Sequence, residues 1–122
     1  MASLLVLFFT VLFHIVFVYL FLIKDPEPIL VVPVVWYREE DYEKIKSISD
    51  DAYALPAAYG KWLANAEYGL QDFTTKGYTV EKVYLDPDIF LAWCRERGLN
   101  INAEARIQFA GEFIARKYLP KA

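Results

Sequence analysis

The sequence predicts an α+β protein: one N-terminal transmembrane helix, then a small, helix-rich domain with a two-stranded sheet. Three observations carry this. Residues 2–23 hold no Asp, Glu, Lys or Arg. Two runs rich in β-branched and aromatic residues, 29–37 and 78–85, read as strands. The segments between and after them repeat apolar residues at helical spacing. The expected organisation is a transmembrane anchor over residues 1–23, a Pro-rich link over 24–28 and a soluble domain over 29–122.

The first stretch, ASLLVLFFTVLFHIVFVYLFLI, counts 22 residues. About 20 apolar residues at 1.5 Å each span a ~30 Å hydrocarbon core. Lipid forces such a stretch into one helix, because its backbone finds no water there. A cleaved signal peptide fits poorly. Met1-Ala2-Ser3 is uncharged, the apolar run exceeds a signal core of about 7–15 residues, and no Ala-x-Ala precedes Lys24. Ser3, Thr10 and His14 fall on one helical stripe, which Leu7, Val18 and Phe21 continue. These three are the candidate interaction residues, since polar groups on membrane helices bond to neighbouring helices. His14 is also the candidate cofactor-binding residue. Its ring nitrogen suits the metal of a haem or a chlorophyll-type pigment, and Thr10 one turn earlier leaves room for a macrocycle.

The link Asp25-Pro26-Glu27-Pro28 stops the helix and favours extended backbone. Pro33 lies inside the first strand and removes a backbone donor, so the stretch is expected to be an edge strand or two short pieces. Residues 38–49 read as a helix with Tyr42, Ile45 and Ile48 inward, and Glu39, Glu40 and Asp41 suit its N-terminus. With Glu43 these carboxylates resemble a site, but a solvated helix start explains them. Leu55-Pro56 is expected to open the strongest helix, with Pro56 in its first turn. Leu55, Tyr59, Trp62, Leu63, Ala66, Leu70 and Phe73 form its apolar face, and Gly77 caps it.

After the second strand, Asp86-Pro87-Asp88 is a helix start: Asp86 caps, Pro87 fills the first turn and Asp88 complements the dipole. Phe90, Trp93, Cys94 and Arg97 follow, and Gly98 ends the helix. Asn102 is expected to cap the last helix, residues 103–118, with Ile107, Ala110 and Ile114 as its inward stripe, widened by Phe109 and Phe113. Trp62 and Trp93 are expected in the core.

All 13 Lys and Arg and all 16 Asp and Glu lie from Lys24 onward, a net charge of −3. That argues against a nucleic-acid partner, which wants a basic face. One cysteine, Cys94, excludes an internal disulfide and reads as a buried thiol. His14 is the single histidine. The domain therefore lacks Ser-His-Asp and Cys-His arrangements and the usual His/Cys metal sites. Neither a GxGxxG nor a GxxxxGK[ST] phosphate loop occurs among the five glycines. Asp86 with Asp88 is a formal acid–base pair, but capping accounts for both. No catalytic residue is predicted, and the chain is not expected to be an enzyme.

Leu55-Pro56-x-x-Tyr59-x-x-Trp62, Ala66-Glu67, Gly77, Asp86-Pro87-Asp88-x-Phe90-x-x-Trp93-Cys94 and Arg106-x-x-Phe109-Ala110 resemble a family of small uncharacterised bacterial domains. The resemblance covers about residues 37–117 and implies a stand-alone cytosolic domain, here fused to an N-terminal membrane helix. It implies no activity and transfers no functional residue.

These readings converge on an accessory, non-catalytic, single-span subunit of a larger membrane protein complex, photosynthetic or respiratory by analogy. Its expected partners are integral membrane subunits and the lipid bilayer, and its soluble domain is expected in the cytoplasm, the periplasm being the alternative. No cofactor is required unless His14 holds a haem or pigment. The other alternative is a membrane-anchored module that recruits a soluble partner.

Overall fold

A computed structural model describes the backbone of residues 2–22 and 30–119, and the side chains of the first helix over residues 6–18. That helix is α1, Ala2–Leu22. The link at 24–28, the C-terminal residues 120–122 and the Ser3 side chain lie outside the described residues.

The chain then runs β1 (Val31–Trp36), α2 (Glu39–Ile48), a single 3₁₀ turn (Ala52–Ala54), α3 (Tyr59–Thr75), β2 (Thr79–Tyr84), α4 (Pro87–Arg97) and α5 (Ala103–Tyr118). The α+β class with a two-stranded sheet is as expected. The strands are parallel, in register from Val31 opposite Thr79 to Trp36 opposite Tyr84. Parallel strands need a long crossover, and the α2–α3 segment supplies it. Both strands are edges, so Pro33 sits in β1 although it has no backbone donor. α5 lies against β1, α3 against β2, and α4 packs on both α2 and α5.

The expected membrane anchor is corrected here. Among the described residues, no helix is long and apolar enough to cross a membrane. The assignment as a single-pass integral membrane protein with a cytoplasmic domain is withdrawn with it.

The main core joins Tyr37, Tyr42, Ile45, Leu85, Phe90, Trp93, Cys94 and Ala105, with Trp62 and Phe109 half-buried at its edge. A smaller cluster of Val83, Ala110 and Ile114 lies where β2 meets α5. Cys94 is fully buried, and burial pushes its thiol above the ordinary value.

Two helix readings also need correction. α3 begins at Tyr59, not at Pro56, and buries no residue completely. Leu55 is extended, as a residue before proline prefers, and ends the preceding 3₁₀ turn. In α5 the inward stripe is Ala105, Arg106, Ala110 and Ile114, whereas Ile107 is 65% exposed. Ala110 and Ile114 face inward as expected, and only Ile107 gives its place to Arg106, which finds a carboxylate inside.

The helix ends follow local rules. The Asp86 carboxylate accepts from the N–H groups of Asp88 and Ile89, both at 3.0 Å, and Asn102 accepts from Ala105 N–H at 3.0 Å. α3 closes with Tyr78 N–H to Phe73 O at 3.1 Å and Gly77 N–H to Thr74 O at 3.0 Å. This bond pair needs a positive φ, and Gly77 supplies 91°. The rings of Phe73 and Tyr78 meet across it at 5.7 Å.

Candidate functional site

Among the described residues, three places hold groups with chemical capacity. The first is α1. Its side chains over residues 6–18 are all exposed, including Phe8, Phe9, Phe13 and Phe17. Thr10 and His14, two of the predicted site residues, lie one turn apart but turn their polar atoms inward along the helix. The Thr10 hydroxyl donates to the carbonyl oxygens of Val6 and Leu7. His14 Nδ1 lies 2.7 Å from Thr10 O. A carbonyl only accepts, so Nδ1 carries a proton; in the neutral tautomer this leaves the lone pair on Nε2. Most of the polar stripe is thus satisfied by its own backbone, and its need for a neighbouring helix falls.

The second place is a buried ion pair. Arg106, 4% exposed, donates to both Asp51 oxygens, at 3.0 and 2.8 Å, and to Ser49 Oγ at 3.3 Å. Asp51 also accepts from Ala103 N–H at 3.0 Å. Asp50 bonds Ile101 through backbone and side chain. The loop after α2 is therefore clamped to the start of α5. The Arg106 hydrogen bonds hold the Asp51 carboxyl below the usual carboxylate range, against the effect of burial. Nearby, burial pushes the Tyr37 phenol up to about 12. Among the described residues no buried side-chain nitrogen or oxygen lacks a hydrogen-bond partner, and the shape is that of a structural clamp.

The third place is a cleft between α4 and α5 at the end of β2. Tyr84, Ile89, Trp93, Phe109, Phe113 and Arg116 line it, with Glu112 alongside, around a cavity of about 240 Å³. Trp93 and Phe109 meet edge to face at 5.4 Å and form the floor. The Arg97 guanidinium lies 4.5 Å over the Trp93 ring, and that of Arg38 lies 4.4 Å over Tyr84. Glu112 Oε1 accepts from Arg97 at 3.0 Å and from Arg116 at 2.6 Å.

The suspected carboxylates have structural roles. Asp86 caps α4, and Asp88 pairs with Lys44 at 2.6 Å. Glu39, Glu40 and Asp41 occupy the first turn of α2. Among the described residues, no group of three metal-ligating side chains converges. The sequence reading missed both the Arg106–Asp51 clamp and the cleft. An arginine on an apolar helix stripe was the available sign of the first, and Glu112 four residues before Arg116 was part of the second.

Comparison with protein-family models, with curated proteins and with solved structures found no match.

Proposed function

We propose that this chain is an accessory, non-catalytic subunit of a larger membrane-associated complex, held there through α1. The observation that carries the reading is the exposure of every described α1 side chain on a helix without a charged residue. An exposed apolar surface of this extent calls for a partner. The reading asks only for an apolar surface on the host and not for a crossing of the bilayer. An apolar groove beside β1, lined by Leu30, Val31, Pro33, Ile114 and Tyr118, adds to the surface open for contact.

Purification of the tagged full chain in mild detergent tests this. The expected result is co-purification with a multi-subunit complex at fixed stoichiometry. Replacing Phe9 and Phe13 together with Asp should abolish it, because two charges would enter an apolar contact. A free monomer, or a double variant that co-purifies undiminished, would overturn the reading.

One observation supports a second reading. The free lone pair on His14 Nε2, with Nδ1 held by Thr10 O, is the arrangement in which histidine binds metals. Here α1 would hold a planar metal macrocycle, haem or chlorophyll-type. An absorption band in the purified complex that disappears in His14→Ala supports it, and a colourless complex rules it out.

A further inference from the structure

We propose that the α4–α5 cleft is a docking site for an acidic segment of a partner protein, which inserts one apolar side chain and sets flanking carboxylates on Arg97 and Arg116. This rests on the reading of the chain as a docking subunit and adds a second, separate contact.

Shape gives the first part of the argument. Tyr84, Ile89 and Phe113 surround the opening and are 45%, 61% and 49% exposed. Three large apolar side chains held open together, over an aromatic floor, have the composition of an interface centre and not of ordinary surface. The volume of about 240 Å³ falls below the ~300–1,000 Å³ of small-molecule and cofactor sites. It suits a single anchoring side chain, the unit from which interfaces draw most of their affinity.

Charge gives the second part and selects the occupant. Arg97 and Arg116 bring ten N–H donors between them at five per guanidinium. Their bonds on the protein are few: Trp93 O and Glu112 for Arg97, and Glu112 for Arg116. Both arginines bond the same oxygen of Glu112, so this one carboxylate bridges two cations and leaves their outer donors open. Arg38 adds a third guanidinium over Tyr84. Glu112 is the one acid at short range; the others stand farther off, Glu96 at 3.5 Å from Arg97 and Asp41 at 4.0 Å from Arg38. Arg116 has a side chain 71% exposed. A planar fork with free donors matches an incoming carboxylate. A basic segment would bring like charge against those donors, and a neutral one would offer them only weaker, uncharged acceptors.

The test is fluorescence anisotropy on the full chain in mild detergent, with labelled peptide DEFDE and the basic control KKFKK. Saturable binding of DEFDE is expected, with none for KKFKK. Arg116→Glu and Phe113→Asp should each weaken it roughly tenfold or more, the scale of one anchoring contact. Both side chains are exposed, so the variants should fold, and thermal melting checks this. Absence of DEFDE binding at millimolar peptide, or equal binding by Arg116→Glu, would overturn the proposal. So would flotation with phosphatidylglycerol vesicles that Arg116→Glu abolishes while DEFDE stays unbound, which would assign the arginines to a lipid surface. The cleft variants leave α1 untouched. If the wild-type chain binds no peptide yet co-purifies with the host, the cleft proposal fails and the α1 reading stands; if the variants lose the peptide yet still co-purify, the two contacts are separate, as proposed.

Discussion

Pro56 and Pro87 stand in similar local sequence, each ahead of an amphipathic segment, and only Pro87 opens a helix. The difference lies in the residue before each. Asp86 brings a carboxylate that accepts two of the N–H groups a helix start leaves unpaired. Leu55 has nothing to offer, and α3 waits until Tyr59, where Ala58 serves as an N-cap with no side-chain bond. Burial separates the two helices further. α4 buries Pro87, Phe90, Trp93 and Cys94, whereas α3 buries none of its residues fully. A proline permits a helix start, but the capping acceptor and the core decide where the helix forms and what it holds together.

Truncation in each helix sharpens this contrast most. Phe90 is fully buried among Trp93, Phe109 and the main core, so Phe90→Ala should cost ~3–5 kcal/mol. Phe73, on the expected apolar face of α3, is 41% exposed. Phe73→Ala should cost no more than about 1 kcal/mol. Urea unfolding of the two variants measures both. Equal losses would show that α3 is as much a part of the core as α4.

The clamp that ties α5 to the loop after α2 comes next. Asp51→Ala strands the Arg106 charge in the interior and should cost ~3–5 kcal/mol, the usual result of removing one member of a buried pair. Replacing both Asp51 and Arg106 with apolar residues should recover much of that loss. The pair also sets a pH dependence. The Asp51 carboxyl titrates below its ordinary value in the folded chain, chiefly through its hydrogen bond to Arg106. Its contribution is therefore full above the unfolded carboxylate range near pH 4 and is lost as pH falls through the lower folded value. Thermal melts of wild type and Asp51→Ala should converge in acid and separate above about pH 5.

Much of the fold was legible because the signals were local. The two strands, the cap at Asp86, the cap at Asn102 and the stops at Gly77 and Gly98 each depend on residues within a turn of one another. The parallel pairing and the inward face of α5 depend on distant partners. Ile107 looked inward by spacing alone, yet it gives its place to Arg106 because Asp51, 55 residues away in sequence, sits behind it. Trp93 is buried as expected, while Trp62 is half-buried against Trp36, Tyr37, Tyr42 and Tyr59. The cleft was not legible, since Tyr84, Ile89 and Phe113 meet only when β2, α4 and α5 come together. On α1, the spacing of Thr10 and His14 was right, but their hydrogen bonds run back into their own helix.

The smallest predicted effects test the cap directly. Asp86→Ala removes the acceptor from the start of α4 and should cost about 1 kcal/mol. The reverse experiment gives α3 the group it lacks. Ala58 is exposed and holds the extended φ −102°, ψ 135° of an N-cap, and its carbonyl already receives Lys61 N–H at 3.2 Å and Trp62 N–H at 3.3 Å. A carboxylate there would accept from the first free N–H groups of α3 and meet the positive end of its dipole. Ala58→Asp should therefore stabilise the domain by ~0.5–1 kcal/mol, read as a higher urea midpoint at unchanged slope. Ala58→Asn, which caps without charge, separates the two contributions: a similar gain assigns it to the hydrogen bond, and a much smaller one assigns it to the dipole. No gain from either variant would mean that α3 is positioned by the contacts of Tyr59 and Trp62 and not by its first turn. The contrast with Pro87 would then rest on packing alone.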